Sequence, residues 1–375
     1  MTGSNHTDES QARALAASFN DFGFRLFAQV SGEDKESNVL LSPFGAAAAL
    51  SLLYLGAEGK TKMALDETLA LKGLDASVLA RTYDGLRETL TEPQGSSPLS
   101  IYNSLWTRIG LTLRPDFVQL VNSYFKAKVE SLDFATPAAA QAVNDWVKGA
   151  TNGKIARLLE RDELSADTIL LLLSVVHFKG VWQRPFDASK TAEGTFKLAD
   201  GNTRPVQMMS QSGSYLYCEA EDFRAVELPY ADAKMSMLIF LAAGDCFVES
   251  LNVKRWEEWL SRFSGAGGEV RLPRLNLSYE VKLKGALQAL GAAEIFRPGA
   301  DFRNLSDAQG FVTDIKQQAT VEVTEEGTEA AAATSVEMGR SLQRRFSFIA
   351  DRPFFWFIKD NRTGSILFIG KVTSP

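Results

Sequence analysis

A stretch of small residues near the C-terminus, residues 325–342, constrains the fold more than any other part of this sequence. It lies between two segments with strand patterns. Residues 321–324 alternate apolar and polar side chains, and residues 354–358 form a continuous apolar run. Alternation is typical of a half-buried strand, and a short apolar run is typical of a strand buried on both faces. We therefore predict a strand on each side of the stretch.

From residue 328 the stretch itself alternates with a period of two. One face carries apolar or hydroxyl side chains, at Thr328, Ala330, Ala332, Thr334, Val336 and Met338. The other face carries two carboxylates among small residues, at Glu329, Ala331, Ala333, Ser335, Glu337 and Gly339. This is the pattern of a strand with one buried side, although alanine favours helices. A flexible alanine-rich linker or a short helix is the alternative interpretation.

The alternation changes phase at Glu325, Glu326 and Gly327. The apolar positions before this point, Val321 and Val323, are odd-numbered, whereas the apolar face after it is even-numbered. Glycine adopts positive φ angles without steric cost. A hinge at Gly327 would account for the change of phase.

Length and composition predict one soluble globular domain. The chain has 375 residues, more than the ~150 of an average domain, yet no linker-like segment divides it. We therefore treat residues 1–375 as one domain and expect the polar residues 1–10 to be disordered. Hydrophobic residues make up 45% of the chain and charged residues 23%, which is ordinary for a soluble protein with a large core.

Charge and hydropathy argue against two classes of partner. The net charge of −6 is unfavourable for nucleic acid or an anionic membrane surface, which attract basic proteins. No apolar run is long enough for a transmembrane helix. The first ten residues contain no signal-peptide core, so the sequence as written predicts a cytoplasmic protein, or an extracellular one if a presequence is missing.

The residues that carry enzyme chemistry are scarce. Cys218 and Cys246 lack the spacing of a metal site, so we expect two free thiols, with a disulfide as the alternative, and no metal or cofactor. The two histidines are His6, in the polar N-terminus, and His177, within an apolar run. A packed strand histidine is a better interpretation of His177 than a general base. No Gly-x-Ser-x-Gly elbow occurs. We therefore predict that the protein is not an enzyme.

Helical patterns predominate in the first 150 residues and strand patterns in the remainder. We predict helices at residues 9–31, 45–55, twice within 62–91, at 116–125, at 137–147, near 253–263 and near 281–290. Residues 168–178 predict a strand buried on both faces. Early helices followed by mostly antiparallel strands indicate an α+β fold.

Several strings of the sequence together resemble the serpin family. The hinge string is Glu325, Glu326, Gly327, Thr328, Glu329, Ala330, Ala331, Ala332, Ala333 and Thr334, and it resembles the hinge of inhibitory serpins almost letter for letter. Residues 348–358 resemble the C-terminal signature of the family. Further matches lie at residues 38–43, 151–155, 178–182, 227–230 and 368–372. The resemblance covers the chain after its first ten residues.

The resemblance implies a fold of three β-sheets with surrounding helices and an exposed reactive-centre loop within residues 325–350. It implies an inhibitor of serine, or of cysteine, proteases that acts as a suicide substrate. The protease cleaves the loop and stays acyl-linked, the loop inserts into the central sheet, and the protease is distorted. A monomer without a cofactor is expected. The alternative within the family is a non-inhibitory carrier or chaperone.

The cleaved bond is predicted to within one residue. A loop one residue shorter than usual places it at Arg340–Ser341, and the usual spacing places it at Ser341–Leu342. The string from Gly339 to Leu342 resembles the cleavage site of antithrombin. Arginine suits a protease with an acidic primary pocket. We therefore favour Arg340–Ser341 and a trypsin-like target.

The region that opens during insertion departs from the family pattern. Ser42 is retained, but Gly45, Ser174 and Gln317 stand where the family usually has serine, asparagine and histidine. Ser174 and Gln317 can still form hydrogen bonds, so we expect a different network there. Trp182 matches the tryptophan where insertion starts. Residues 75–91 contain only Arg81 and Arg87 as basic residues, which predicts no strong polyanion cofactor.

Overall fold

The computed structural model describes residues 3–33, 35–92, 99–160, 163–164, 166–242, 247–308, 310–326 and 345–375. The helices in this part of the chain are α1 (Gly3–Glu33), α2 (Pro43–Gly56), α3 (Gly59–Leu69), α4 (Ala76–Leu90), α5 (Pro115–Leu120), α6 (Pro137–Ala150), α7 (Val253–Ser261) and α8 (Lys284–Ala289). The early helices therefore form close to their predicted positions.

Fourteen strands are seen within the described ranges. They are β1 (Val39–Leu41), β2 (Leu99–Arg108), β3 (Lys128–Leu132), β4 (Leu170–Phe178), β5 (Ala192–Lys197), β6 (Thr203–Glu219), β7 (Phe223–Pro229), β8 (Met235–Ala242), β9 (Ser264–Pro273), β10 (Leu275–Lys282), β11 (Val312–Val323), β12 (Arg345–Ile349), β13 (Phe354–Asp360) and β14 (Ile366–Val372). The α+β class predicted from the sequence is confirmed.

Helix α2 is buried along its entire length. Its sequence is apolar nearly all round, which predicts a helix surrounded by protein. Ser42 caps its N-terminus, because the side chain accepts a hydrogen bond from the Gly45 amide. Pro43 follows as the first helical residue, where its missing N–H has no cost. The helix thereby begins directly beneath the five-stranded sheet.

The five-stranded sheet has the order β10-β11-β4-β2-β3. Its central pair, β4 and β11, is parallel, and β11 pairs antiparallel with β10 while β4 pairs antiparallel with β2. All residues of β4 except His177 are buried. Consecutive residues, such as Leu172 and Leu173, point to opposite faces of the sheet and belong to two different hydrophobic clusters. The prediction of a strand buried on both faces is confirmed.

The remaining strands form one nine-stranded hydrogen-bonded network, so two sheets are described where the resemblance implies three. The difference arises at β6, which has 17 residues. Its first part pairs with β5 and its last part with β7, while β9 pairs along most of its length. Because β6 continues from one of the expected sheets into the next, its hydrogen bonds join the two sheets into one network.

Two boundaries differ from the sequence predictions. The helix α1 begins at Gly3, so residues 3–10 are helical where the sequence predicted disorder. Extending an existing helix fixes one residue for each new hydrogen bond, whereas starting one is unfavourable. Val281 lies in β10, and α8 begins only at Lys284. Pairing of Val281 with Gln317 of β11 decides that boundary.

Candidate functional site

The predicted site residues fall into two groups. Gly327, Thr328, Glu329, Ala330, Ala331, Ala332, Ala333 and Thr334 of the hinge, and Arg340, Ser341 and Leu342 of the cleaved bond, lie outside the described residues. Glu325 and Glu326 follow the end of β11. The four residues of the predicted opening region, Ser42, Ser174, Gln317 and Trp182, surround the boundary between β4 and β11. We call this boundary the seam.

The register of the seam is continuous over most of its length. Gln317 lies opposite Ser174, and Val321 lies opposite Phe178 at the last pair. Because the two strands are parallel, both leave the sheet at the same edge. The hinge therefore starts beside the segment that carries Trp182.

Gln317 binds the backbone of Ser42 with both ends of its amide. Its Nε2 donates to the Ser42 carbonyl at 2.9 Å, and its Oε1 accepts from the Ser42 amide at 2.8 Å. The side chain is fully buried, so these two bonds satisfy one donor and one acceptor that would otherwise be costly. The bonds attach β11 to the start of α2. They do not cross the seam to β4.

Ser174, on the other side of the seam, is fully buried, and its hydroxyl has no hydrogen-bond partner among the described residues. The neighbouring helix comes very close at this point. A Cβ added at Gly45 would lie 2.5 Å from Val176 Cγ2 and 2.8 Å from Ser174 Oγ. Glycine at position 45 is therefore required by the approach of α2 to β4. The hydrogen-bond network expected from Ser174 and Gln317 therefore does not form between these two side chains.

Trp182 holds the end of β11. Its indole N–H donates to the carbonyl of Thr324 at 2.9 Å, and its ring stacks on Tyr230 with 4.6 Å between centroids. The amide of Phe186 donates to the carbonyl of Glu325 at 2.8 Å. The segment after β4 thus fixes the two residues at which the chain enters the hinge.

Glu325 is a buried carboxylate at the entrance to the hinge, with 5% of the residue exposed. Arg274 lies 2.6 Å from Oε1, and Thr191 donates to the same oxygen at 2.5 Å. Burial alone would raise the pKa of Glu325. The hydrogen bonds from Arg274 and Thr191 outweigh burial and lower this pKa below its ordinary value. Glu325 is therefore ionised near neutral pH.

His177 bridges the seam. Its Nδ1 lies 2.8 Å from Thr320 Oγ1, and these residues are opposite each other in the register. The ammonium of Lys154 contacts Nε2. Since an ammonium can only donate, Nε2 accepts and Nδ1–H donates to Thr320.

Burial, followed by the charges of Lys154 and Lys179, lowers the pKa of His177 to about 4. A histidine with this pKa is a weak base near neutral pH. Its contacts with Lys154 and Thr320 therefore fit the packed strand histidine better than a general base.

The sequence patterns did not identify four polar residues that hold predicted residues in place around the seam. Arg274 and Thr191 hold Glu325, and Lys154 and Thr320 hold His177. They lie far from their partners along the chain, so no local pattern connects them. Thr320 occupies a polar position of the alternation, between Ala319 and Val321, so it gave no signal of its own.

Other predicted sites are few in the described ranges. Cys218 is a buried free thiol whose pKa is raised by burial, and Cys246 lies outside those ranges. Where the structure is described, no group of three or more histidine, cysteine or acidic side chains could hold a metal ion. The helices of the same ranges include none that is long and apolar enough to cross a membrane.

Comparison with known proteins assigns the family. Residues 17–375 match the family model described as Serpin (serine protease inhibitor). An uncharacterised serpin-like protein of Methanosarcina acetivorans is 32% identical over 378 residues, which cover 98% of this chain and 88% of that protein. Plasminogen activator inhibitor 1 of Neovison vison is 31% identical over 382 residues, covering 98% and 94%.

Solved structures agree with this assignment. The crystal structure of uncleaved ovalbumin superposes with a TM-score of 0.89 at 26% identity, covering 96% of this chain and all of the ovalbumin chain. Serpins are in general protease inhibitors with a metastable fold, and the family also includes non-inhibitory members such as ovalbumin. The chain is a member of the serpin family.

Proposed function

We propose that this chain inhibits serine endopeptidases as a suicide substrate, with a trypsin-like protease as its target. In this scheme the protease cleaves the loop after residue 326 and remains acyl-linked to it. The loop then inserts into the seam as a new strand, and the attached protease is carried along and distorted. A cysteine protease with the same primary specificity is a second possible target.

The observation that supports this proposal best is the geometry of β4 and β11. They are adjacent, central and parallel, and the chain leaves β11 at the edge where both strands end. A segment that returned from this edge would run antiparallel to both neighbours. Both of its edges would then pair with strands, as in a central strand of an antiparallel sheet.

The gain from such an insertion is large enough to do mechanical work on a protease. About ten residues that each gain roughly 0.5–1.5 kcal/mol of net hydrogen bonding contribute about 5–15 kcal/mol. The stability of a whole domain has the same size. Distortion of a bound protease is therefore energetically feasible.

The hinge sequence favours an inhibitor over a non-inhibitory serpin. Residues 328 and 330–333 are threonine and alanines, which are small and uncharged. Such side chains can enter a packed sheet. A bulky residue would overpack the core, and a charged residue would be buried without a partner. Because the structurally similar proteins include the non-inhibitory serpin ovalbumin, a non-inhibitory carrier or chaperone is the alternative.

Arg340–Ser341 is the bond that we propose is cleaved. A guanidinium pairs well with the acidic primary pocket of trypsin-like proteases. Cleavage at Ser341–Leu342 is the alternative, and it would suit a different primary pocket.

A panel of trypsin-, chymotrypsin- and subtilisin-like proteases tests the proposal. We expect a detergent-stable covalent complex with the trypsin-like protease, and mass spectrometry of the released C-terminal fragment should give a new N-terminus at Ser341. An N-terminus at Leu342 would overturn the assigned bond. Turnover of the chain by every protease without any complex would contradict the inhibitory function.

A further inference from the structure

Lys316 is a charged residue in the interior of the five-stranded sheet. It lies in β11 opposite Leu173 of β4, and 1% of its surface is exposed. A buried ammonium is costly unless it is paired and hydrogen-bonded. The packing of β11 therefore depends on the groups that pair with this ammonium.

The partners of Lys316 come from two different parts of the molecule. Glu280 of the neighbouring strand β10 lies 2.6 Å from Nζ. Glu163 binds Nζ with both carboxylate oxygens, at 3.0 and 2.9 Å, and the carbonyl of Leu158 accepts at 2.9 Å. Lys282 of β10 is also bound to Glu163, at 2.8 Å. One carboxylate thus joins two strands on the same side of the seam.

Glu163 and Leu158 belong to the segment that connects α6 to β4. We call residues 151–160 and 163–164, the described parts of this segment, the strap. Asn144 of α6 fixes its first part, because Oδ1 accepts from the amides of Leu158 and Leu159 and Nδ2 donates to the Leu159 carbonyl. Leu158 and Leu159 also pack in the cluster that contains Leu173 and Val175 of β4. The strap is therefore attached to the β4 side of the seam.

The ion pairs of Glu163 consequently cross the seam. One end of the strap is fixed to α6 and β4, and the carboxylate near its other end is fixed to β10 and β11. By contrast, the bonds of Gln317 to Ser42 leave β4 free. Glu163 therefore supplies ionic ties between the two halves of the sheet.

Insertion of a strand is incompatible with these ties. Adjacent strands lie ~4.8 Å apart, so one added strand moves β4 and β11 to about twice that separation. A hydrogen bond does not extend beyond ~3.5 Å. The contacts of Lys316 with Glu163 and Leu158 must break, or the strap must leave α6, before the new strand reaches this depth.

The charge state of Glu163 supports the persistence of these ties. Burial alone would raise the pKa of this carboxyl, but the hydrogen bonds from Lys282 and Lys316 outweigh burial and lower it to about 2. The carboxylate is therefore ionised near neutral pH, where trypsin-like proteases act.

We propose that the ion pairs of Glu163 with Lys316 and Lys282 hold the seam closed and set the rate at which the sheet admits a new strand. This inference rests on the proposed function, because the rate of insertion decides whether a cleaved loop traps the protease or releases it as a product. Weaker ties speed insertion and favour trapping. They also make the uncleaved protein more ready to accept a strand from another source.

The test uses the intact chain and a synthetic peptide with the sequence of residues 328–341, acetylated at its N-terminus. Insertion is followed by the change in mobility on native gels, so no protease is involved. We expect the substitution Glu163→Gln to increase the rate of peptide incorporation about tenfold. Lys316→Met, which removes the buried charge together with its ties, should increase it to a similar extent.

Glu280→Gln is the matched control. It removes an ion pair from the same lysine, but Glu280 and Lys316 lie on the same side of the seam. We expect less than about a twofold change in the rate of incorporation. Equal acceleration by Glu163→Gln and Glu280→Gln would show that loss of stability, not loss of a tie, is responsible, and it would overturn the inference.

The remaining outcomes separate the inference from the proposed function. If the parent incorporates the peptide and Glu163→Gln does so at the same rate, the role of Glu163 is wrong and the inhibitory function stands. If the parent neither incorporates the peptide nor forms a covalent complex with the protease panel, the proposed function fails, and the inference fails with it. Circular dichroism of each variant verifies that it is folded.

Discussion

Individual polar side chains hold the seam and the entrance to the hinge in place through hydrogen bonds and ion pairs. Glu325 is held by Arg274 and Thr191 at the entrance to the hinge, and His177 reaches Thr320 across the seam. These contacts are buried or half-buried, so water and salt screen them less than they screen a pair on the surface. Their loss should therefore be measurable one residue at a time.

Replacing Glu325 by glutamine should destabilise the uncleaved protein by about 1–2 kcal/mol. The charge-assisted bonds to Arg274 are worth more than neutral ones, but half-exposed Arg274 reduces their value. Chemical unfolding in urea measures the change. Glu294→Gln is the control, since it breaks a more exposed pair with Arg297, and it should have little effect. Equal losses in both variants would contradict the importance of Glu325.

The lowered pKa of His177 predicts a dependence of stability on pH. Its folded pKa of about 4 lies below the ordinary value of ~6.5. Between these values the unfolded chain binds more protons than the folded one. The contribution of neutral His177 is thus complete above pH ~6.5 and is lost as the pH falls towards 4. Allowing for partial exposure, the loss amounts to about 1–2 kcal/mol.

The variant His177→Gln tests this dependence. Glutamine can still donate to Thr320 but does not titrate, so the difference in stability between pH 7 and pH 4.5 should be smaller than in the parent. Urea unfolding at both pH values measures it. An unchanged difference would show that other groups cause the loss at low pH.

At the scale of secondary-structure elements, the seam is where the proposed function requires one more strand to insert. Strand β4 is covered on both faces, and β11 is covered on both faces from Ile315 to Ala319, so a strand inserted there needs side chains that fit on each side. The sequence after residue 327 offers small side chains on both faces and carboxylates on only one. The face that carries Thr328, Ala330 and Ala332 is the one expected to meet α2.

Ala332→Glu should convert the protein from inhibitor to substrate. A carboxylate forced onto the buried face costs several kcal/mol, so insertion slows and the cleaved loop is released before the protease is trapped. Densitometry of denaturing gels gives the number of molecules consumed per complex, which should rise at least about tenfold.

Ala333→Glu is the matched control, because residue 333 lies on the face that already contains Glu329 and Glu337. We expect it to retain most of the inhibition. If Ala332→Glu forms complexes as efficiently as the parent, the assignment of the two faces is wrong.

At the scale of the whole molecule, the uncleaved fold is metastable, as in the serpin family generally. Under the proposed function, the five-stranded sheet can accept a further strand that the same chain contains. Cleavage of the loop would release the constraint on that segment, and the enlarged sheet would then have the lower free energy. The stability of the molecule would thus depend on whether one bond of the loop is intact.

Loop cleavage should raise the temperature of unfolding by about 6–20 °C. This range follows from about 5–15 kcal/mol of added hydrogen bonding and from an unfolding entropy of ~2 cal/mol/K per residue. Calorimetry of intact and trypsin-nicked protein measures the shift. An equal unfolding temperature for the two forms would favour the non-inhibitory alternative.

The sequence by itself determined most of the elements, the fold class and the family. Local signals were sufficient for α2, whose apolar sequence requires burial, and for β4, whose apolar run requires a covered strand on both faces. The hinge string and its alternation also lie within one continuous stretch. Each of these features depends on neighbours in the sequence, so a pattern can reveal it.

Only the tertiary structure decided which groups hold the seam closed. Gly45 is glycine because α2 approaches Val176 closely, and Lys316 is tolerated because Glu163, 153 residues away, neutralises it. Ser174 and Gln317 were expected to share a network, yet Gln317 binds Ser42 and leaves Ser174 apart. Burial makes such pairings strong, but a buried charge or amide accepts any complementary partner within reach. Folding, and not the local sequence, determines which partner that is.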